Sequence, residues 1–428
     1  MSKRKRSPAR RRAASIGSAN SPEGNAFTTV ISLADDPPQR NVPLLSTADI
    51  LPATAAAIVG GAAYLPIVKG LLSRQSDYTA HAWFAQQFLE KGILYSPACL
   101  LHLLVAALIR LRITQSFQSA TLIIAVGSYA ALGSAVYFCA RFACKTEPES
   151  GRGLAAAIAI LLPFVQPAVP WGSVYTIGYM WAEPYYSPTY ALLKPLAVIV
   201  AVVAVYFLSR SGETNWKLIS VCAAAGAAGT LAKPSFAICA VPAIIACSAY
   251  KYFRKEPFSQ LGVLCGILLP MLAVLIWQHH RTYAGVSDSG DYRDSIVFVP
   301  LAVMRIHTSG LALKYLLSTL FPLSVVLLYG RRAWADSGLK FSLLALLVGT
   351  LYTYTLGEKL RLAAGNFLWS AYITVFLVDF FGVVFLVKQV AVGSKRTTLI
   401  RVLPCLLVMI AQLAIGLSVH LTFLRMYT

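Results

Sequence analysis

Apolar runs long enough to cross a bilayer recur along this chain, and they set its fold class before any motif is considered. A helix needs about 20 apolar residues to span the hydrocarbon core. Runs of that order lie near 50–72, 116–140, 153–170, 190–208, 217–232, 235–250, 259–277, 309–330, 340–357, 366–387 and 398–420. They predict an all-α polytopic membrane protein with about 11 transmembrane helices. Charged residues make up only 13% of the chain, against about 25% in a soluble domain, which excludes a soluble enzyme. A twelfth apolar stretch, 97–112, is short and ends in Arg110 and Arg112. It is expected to be a surface helix in the first outer loop.

The formal charge of +20 would suggest nucleic acid in a soluble chain. Here the Lys and Arg sit in a tail and in short loops between apolar runs, as orientation signals do, so no nucleic-acid partner is expected. Residues 1–45, opening MSKRKRSPARRR, cannot bury a core and read as a disordered basic cytoplasmic tail. An organelle presequence is the alternative, because such segments are Arg-rich and acid-poor. Residues 46–428 form the transmembrane domain. The eight Cys are scattered, most within apolar runs, without the spacing of a disulfide framework or a zinc site.

With the tail inside, each cytoplasmic loop is basic: Arg141, Lys145 and Arg152; Arg210 and Lys217; Lys251, Arg254 and Lys255; Arg331, Arg332 and Lys340; Lys388, Lys395, Arg396 and Arg401. That is the positive-inside pattern. The loops left outside mix acids, histidines, bases and aromatics, among them Asp77, His81, Glu183, Lys233, Arg281, Arg305, Glu358 and Arg361. Five of the six His lie there, so an outward-facing site is expected. Asp379 falls inside a span, where a charge is costly. It is expected to be paired or to face water toward the cytoplasmic half.

The ordered set of segments resembles the GT-C superfamily of membrane glycosyltransferases. A first span leads into an outer loop with an acid, SDYTAHAWFAQQFLEKG. A proline-led surface helix follows, YSPACLLHLLVAALIRL. Then come a basic inner turn, RFACKTEPESGRG, and an aromatic outer loop with an acid, MWAEPYYSPTY. LAKPSF resembles the lysine-bearing turn between two later spans, and GEKLRLAAGNFLW a late polar loop. The second loop departs from the family in offering only Glu183 where an Asp, often in an Asp/Glu pair, is usual, and no large soluble domain follows the last span.

The resemblance implies inverting sugar transfer from a polyprenyl-phosphate donor to a lipid-linked or polymer acceptor, on the outer face of a bacterial inner (plasma) membrane. It points to Asp77 as base, His81 as its partner one turn on and Glu183 as a second acid. Lys233, Arg281 and Arg361 are candidates for the donor phosphate. His102, Lys194, Arg305, Glu358 and Asn366 complete the candidate set. Asp77, Glu183 and the Asp288/Asp291/Asp294 run are also candidates to hold Mg²⁺ or Mn²⁺ through oxygens, and Arg293 is a further candidate for phosphate. The bland readings are interfacial aromatics, headgroup contacts and solvated loop charges. A carrier or flippase for lipid-linked saccharide is the alternative function, and a non-catalytic assembly factor a third. No Walker A, HExxH, GxSxG or dinucleotide motif is present.

The orientation is open to direct test. Single cysteines placed beside Asp77 and Glu358 should react with impermeant thiol reagents from the outer side only, and cysteines beside Arg254 and Arg331 from the cytoplasmic side only. Labelling beside Arg331 from outside would sink the eleven-span scheme.

Overall fold

In a computed structural model, the residues described are 46–144, 148–165, 176–177, 180–181, 185, 187–210, 215–284, 294–307, 309–392 and 395–427. Residues 1–45, and with them the tail, lie outside this set. The structure is 84% helical. Among the described residues the strands form two short antiparallel ladders, so the all-α class holds.

The helices are α1 (Thr47–Leu72), α2 (Asp77–Lys91), α3 (Leu100–Arg110), α4 (Phe117–Cys144), α5 (Pro148–Leu161), α6 (Pro188–Ser209), α7 (Trp216–Ala232) and α8 (Ser235–Phe253). After them, α9 (Gln260–Val263), a π turn (Leu264–Leu268) and α10 (Leu269–His279) run on as one rod to Tyr283. There follow α11 (Ala302–His307), α12 (Leu311–Ser318), α13 (Leu320–Tyr329), α14 (Arg331–Ala335), α15 (Ser337–Thr355), α16 (Leu368–Val392) and α17 (Lys395–Tyr427). Strands β1 (Thr176–Ile177) and β2 (Met180–Trp181) pair with each other, as do β3 (Ile296–Phe298) and β4 (Leu356–Glu358).

All eleven predicted runs are helical in their described parts, but they differ in length and apolarity. Seven helices among the described residues are long and apolar enough to cross a membrane, or eight if the pair α12–α13, bent by 65°, counts as one span. Gly151–Phe164 and Trp216–Ala232 are apolar but shorter than 18 residues. α3 has 11 residues, about 16 Å of helix at ~1.5 Å per residue. That is too short to cross and fits the expected surface helix.

Small residues set the closest packing. In α1 and α4, a Cβ at Gly133 would collide with the carbonyl of Ala56, and one at Gly60 with the carbonyl of Tyr129. Backbones that approach this closely give the van der Waals contact that holds helices together in lipid, where no hydrophobic force distinguishes helix from solvent. Tyr64 and Tyr129 stack beside the same seam, with centroids 3.8 Å apart.

Polar groups collect at the two ends of this bundle. At one end Asp49, at the start of α1, accepts from Tyr137 Oη (2.9 Å) and Arg141 Nε (3.3 Å), and Arg152 Nε lies 3.6 Å away. This clasp joins α1, α4 and α5. Lys388 and Asp336 pair at 3.2 Å and join the end of α16 to the start of α15. The opposite ends of α1, α7, α10 and α15 carry the groups described next. The eight cysteines are free thiols, six of them buried.

Gly133→Ala should force α1 and α4 apart and cost about 1–3 kcal/mol, the usual range for overpacking. Gly127→Ala, at a position with open space around it, should be neutral or stabilising by up to ~1 kcal/mol from helix propensity. Thermal unfolding in detergent measures both, and equal behaviour of the two variants would refute the close-approach account.

Candidate functional site at one end of the bundle

Asp77 owes its position to the cap before it. Ser76 Oγ accepts from the Thr79 amide, and Thr79 Oγ1 accepts from the Ser76 amide at 3.0 Å, a reciprocal cap that starts α2 at Asp77. Tyr78 is fully buried and packs in a cluster with Tyr64, Leu71 and Tyr129. With Tyr78 turned inward, Asp77 keeps an exposed face at the helix N-terminus. The surrounding protein raises its carboxyl above the usual carboxylate range, more than the Lys233 charge pulls it down.

His81 follows one turn later, as the spacing predicts. Its partner, however, is not Asp77: among the described residues no hydrogen bond links those two side chains. α2 ends at Gly92 in the left-handed conformation (φ 71°), where glycine carries no Cβ penalty. The chain then returns through Pro97 into α3. This brings His102 onto His81, with Nδ1 of His81 2.8 Å from Nε2 of His102 and the rings stacked. One of these nitrogens must carry the proton that the other accepts. Burial, then the neighbouring His102 and Lys233, push His81 down to about 3. Burial pushes His102 down to about 4. Both imidazoles are therefore neutral at neutral pH.

Lys233 caps the end of α7, and Pro234 turns the chain into α8. Its Nζ donates to Ser187 Oγ (3.3 Å) and Thr189 Oγ1 (3.5 Å) at the start of α6, and lies 4.2 Å from the centroid of the Trp369 ring in the first turn of α16. The Lys233 charge bears on Asp77 and His81 alike. Asp77 and His81 on α2, His102 on α3 and Lys233 at the end of α7, from three segments, thus form one group.

A second group lies on the segment between α15 and α16. β4 pairs with β3, Ile296 opposite Glu358 and Phe298 opposite Leu356. Buried Glu358 accepts from Tyr283 Oη (2.9 Å), from Asn366 Nδ2 and from Arg361 Nη2 (3.3 Å). Arg361 Nε also donates to Asp294 at 3.0 Å. Two carboxylates thus hold one guanidinium, and its charge is already matched inside the protein. Arg361 is better suited to fixing this segment than to meeting a phosphate.

The other predicted residues are dispersed. Arg281 and Arg305 are exposed and form no ion pair among the described residues. Lys194 is buried in α6, its Nζ 4.9 Å from the Tyr190 ring centroid and 5.1 Å from that of Phe376. Glu183 lies outside the described residues, as do Asp288, Asp291 and Arg293. Asp379 is buried, and its Oδ1 has no hydrogen-bond partner among the described residues.

Among the described residues no three His, Cys, Asp or Glu side chains converge to hold a metal ion. Near Asp77 the two imidazoles spend a nitrogen each on one another, so this group does not by itself make a divalent-cation site. Ser187, Thr189, Trp369 and Tyr283 escaped the sequence reading, and Asp294 reads there as a metal candidate and not as a partner of Arg361. The one local signal was Ser-Pro-Thr at the start of an apolar run, a helix start with Pro at its first position and two spare hydroxyls.

What the fold and this site define is a polytopic helical membrane protein with a lysine, a carboxylate and two neutral imidazoles gathered at one end of its helices. Comparison with known protein families, curated proteins and solved structures finds no match for the chain.

The imidazole pair makes a pH prediction. Both groups titrate lower in the folded protein than their ordinary 6.5, so below that value the unfolded chain binds more protons. Their contribution to stability is complete above about pH 6.5 and is lost as pH falls toward 4 and 3. Thermal unfolding from pH 8 to pH 4 should show a declining Tm, and the decline should be shallower in His102→Gln. An unchanged slope in that variant would refute the assignment.

Proposed function

We propose that this protein is a membrane glycosyltransferase of the GT-C type, taking a sugar from a polyprenyl-phosphate donor to an acceptor hydroxyl at the outer membrane surface. The observation that carries this reading is the placement of Asp77 at the start of α2 and of Lys233 at the end of α7, more than 150 positions apart in sequence and near enough for the Lys233 charge to act on Asp77. Seven helices, or eight with the bent pair, are long and apolar enough to cross a membrane, and the reading keeps the eleven-span scheme of the sequence. That scheme puts the N-terminus in the cytoplasm and the Asp77 end outside.

In the proposed reaction the acceptor oxygen attacks the anomeric carbon as the bond from that carbon to the phosphate oxygen breaks, with inversion. Asp77 takes the acceptor proton. A carboxyl raised above its usual range is the stronger base for this step. The leaving phosphate takes the electron pair, and the Lys233 ammonium faces the charge that develops on it. The neutral imidazoles of His81 and His102 bring no second cation and pack the floor beside Asp77. Glu183 remains the candidate second acid, and with Asp77 the candidate Mg²⁺ or Mn²⁺ ligand. No step here depends on a metal.

One observation favours the carrier reading instead. Lys194 and Asp379 are ionisable groups buried within α6 and α16, and transporters place such groups at membrane depth.

A transfer assay on the wild type and on Asp77→Asn separates the two. Removing a general base typically costs about 10²–10⁴-fold, so transfer of radiolabelled sugar from polyprenyl phosphate should fall by that order while the protein stays monodisperse. An EDTA arm tests the metal. Transfer at the wild-type rate in Asp77→Asn would remove Asp77 as the base, and absence of transfer in the wild type itself would remove the transferase reading and raise the carrier above it.

A further inference from the structure

The proposed reaction leaves the far end of α8 without a role. α8 starts beside Lys233 and has 19 residues, about 28 Å of helix at ~1.5 Å each. That is close to the thickness of the hydrocarbon layer, about 30 Å, so its far end lies at the other membrane surface. Phe253 closes the helix there, and the chain turns through Pro257 into α9. The turn forms an open cleft of about 500 Å³, lined by Tyr252, Phe253, Lys255, Glu256, Phe258 and Gln260.

The lining is of two kinds. Tyr252 and Phe253 are 66% and 80% exposed, a large apolar area to leave in water. Aromatic side chains at this depth settle between headgroups and acyl chains. Beside them stand two charged residues. Glu256 is already matched, with Lys251 Nζ 3.1 Å from its Oε2. Lys255 is exposed and forms no ion pair among the described residues. The cleft therefore carries one unmatched positive charge between aromatic walls.

The backbone at Lys255 is also unusual. The amides of Lys255 and Glu256 donate to Tyr252 O at 3.1 Å and Lys251 O at 2.9 Å. This closes α8 with Lys255 in the left-handed region, φ 55°. Glycine is the usual residue at such a helix end, because a Cβ there is strained. A lysine in this place works against stability, and no ion pair among the described residues offsets the cost.

We infer that this cleft holds the headgroup of an anionic phospholipid. Lys255 meets its negative charge, and Tyr252, Phe253 and Phe258 lie against the glycerol and the first acyl carbons. The unmatched lysine suits an anion, and the exposed aromatics suit one that is joined to hydrocarbon. A soluble anion would need only the lysine. The inference is independent of the transferase reading.

Its test uses the full-length protein carrying Phe253→Trp, which keeps an aromatic wall and places a fluorophore in the cleft. The protein is reconstituted in phosphatidylcholine vesicles with either brominated phosphatidylglycerol or brominated phosphatidylcholine as the minor component. Bromine quenching of the added fluorescence, relative to the chain without the substitution, reports the lipid beside residue 253. One basic residue near an anionic headgroup is worth about fivefold in association. Brominated phosphatidylglycerol should therefore associate there about fivefold more strongly than brominated phosphatidylcholine. Lys255→Gly suits the left-handed turn, so the protein should unfold at the same temperature or higher while the ratio falls close to one. Lys255→Asn, which also tolerates that backbone, should lose the preference in the same way. Arg254→Gln removes a neighbouring charge outside the lining and should change the ratio by less than twofold. Inorganic phosphate should displace no more lipid than chloride at equal ionic strength.

Equal quenching by the two lipids, or a preference that survives Lys255→Gly and Lys255→Asn, would overturn the inference. So would an equal loss in Arg254→Gln, which would show that the general surface charge attracts the lipid and the cleft does not. Displacement by phosphate beyond that of chloride would overturn the lipid as the occupant.

Discussion

The Lys233 ammonium cannot rest against lipid or bare hydrocarbon, and three distant segments are shaped around it. The start of α6 supplies two hydroxyls, the start of α16 supplies the face of Trp369, and the start of α2 brings a carboxylate whose titration it alters. Each of these needs its helix to begin at one residue. Ser76 and Thr79 do this for α2, and Pro188 for α6. For α16 the work falls to the Glu358 group. Asn366, bonded to Glu358, stands three residues before Trp369, so the buried carboxylate governs where the aromatic face comes to lie.

The two polar groups at this end differ in kind. Glu358 receives three donors, and its network is closed, which makes a rigid support. The group around Asp77 is open: the carboxylate is exposed and unbonded among the described residues, and the imidazoles are neutral. Closed networks hold geometry, whereas open ones exchange partners.

Much of this was legible in the chain itself. Asp77 and His81 share a face because they are four residues apart, and Lys233 lies at a break between two apolar runs. Other features depend on distances that no local pattern encodes. His102 meets His81 only because Gly92 turns the chain back at a particular length. Arg361 looks like a free cation in sequence, yet Asp294, 67 positions earlier, takes its charge. The run near 153–170 continues past Phe164, where the helix stops, and the run near 217–232 matches α7 but is itself shorter than a full span.

That last difference affects the surrounding lipid. α7 has 17 residues, about 26 Å at ~1.5 Å each, against a hydrocarbon layer of about 30 Å. Val221 is exposed on this helix, so lipid reaches it. Acyl chains beside a rod that is too short must compress or tilt, at a fraction of a kcal/mol per Å. Because Lys233 closes α7, the membrane would dip toward the lysine, and headgroups nearby would ride lower than their neighbours. Bilayer thickness then becomes a variable of this site: thinner membranes would ease the approach of a lipid phosphate to Lys233, and thicker ones would hold it away.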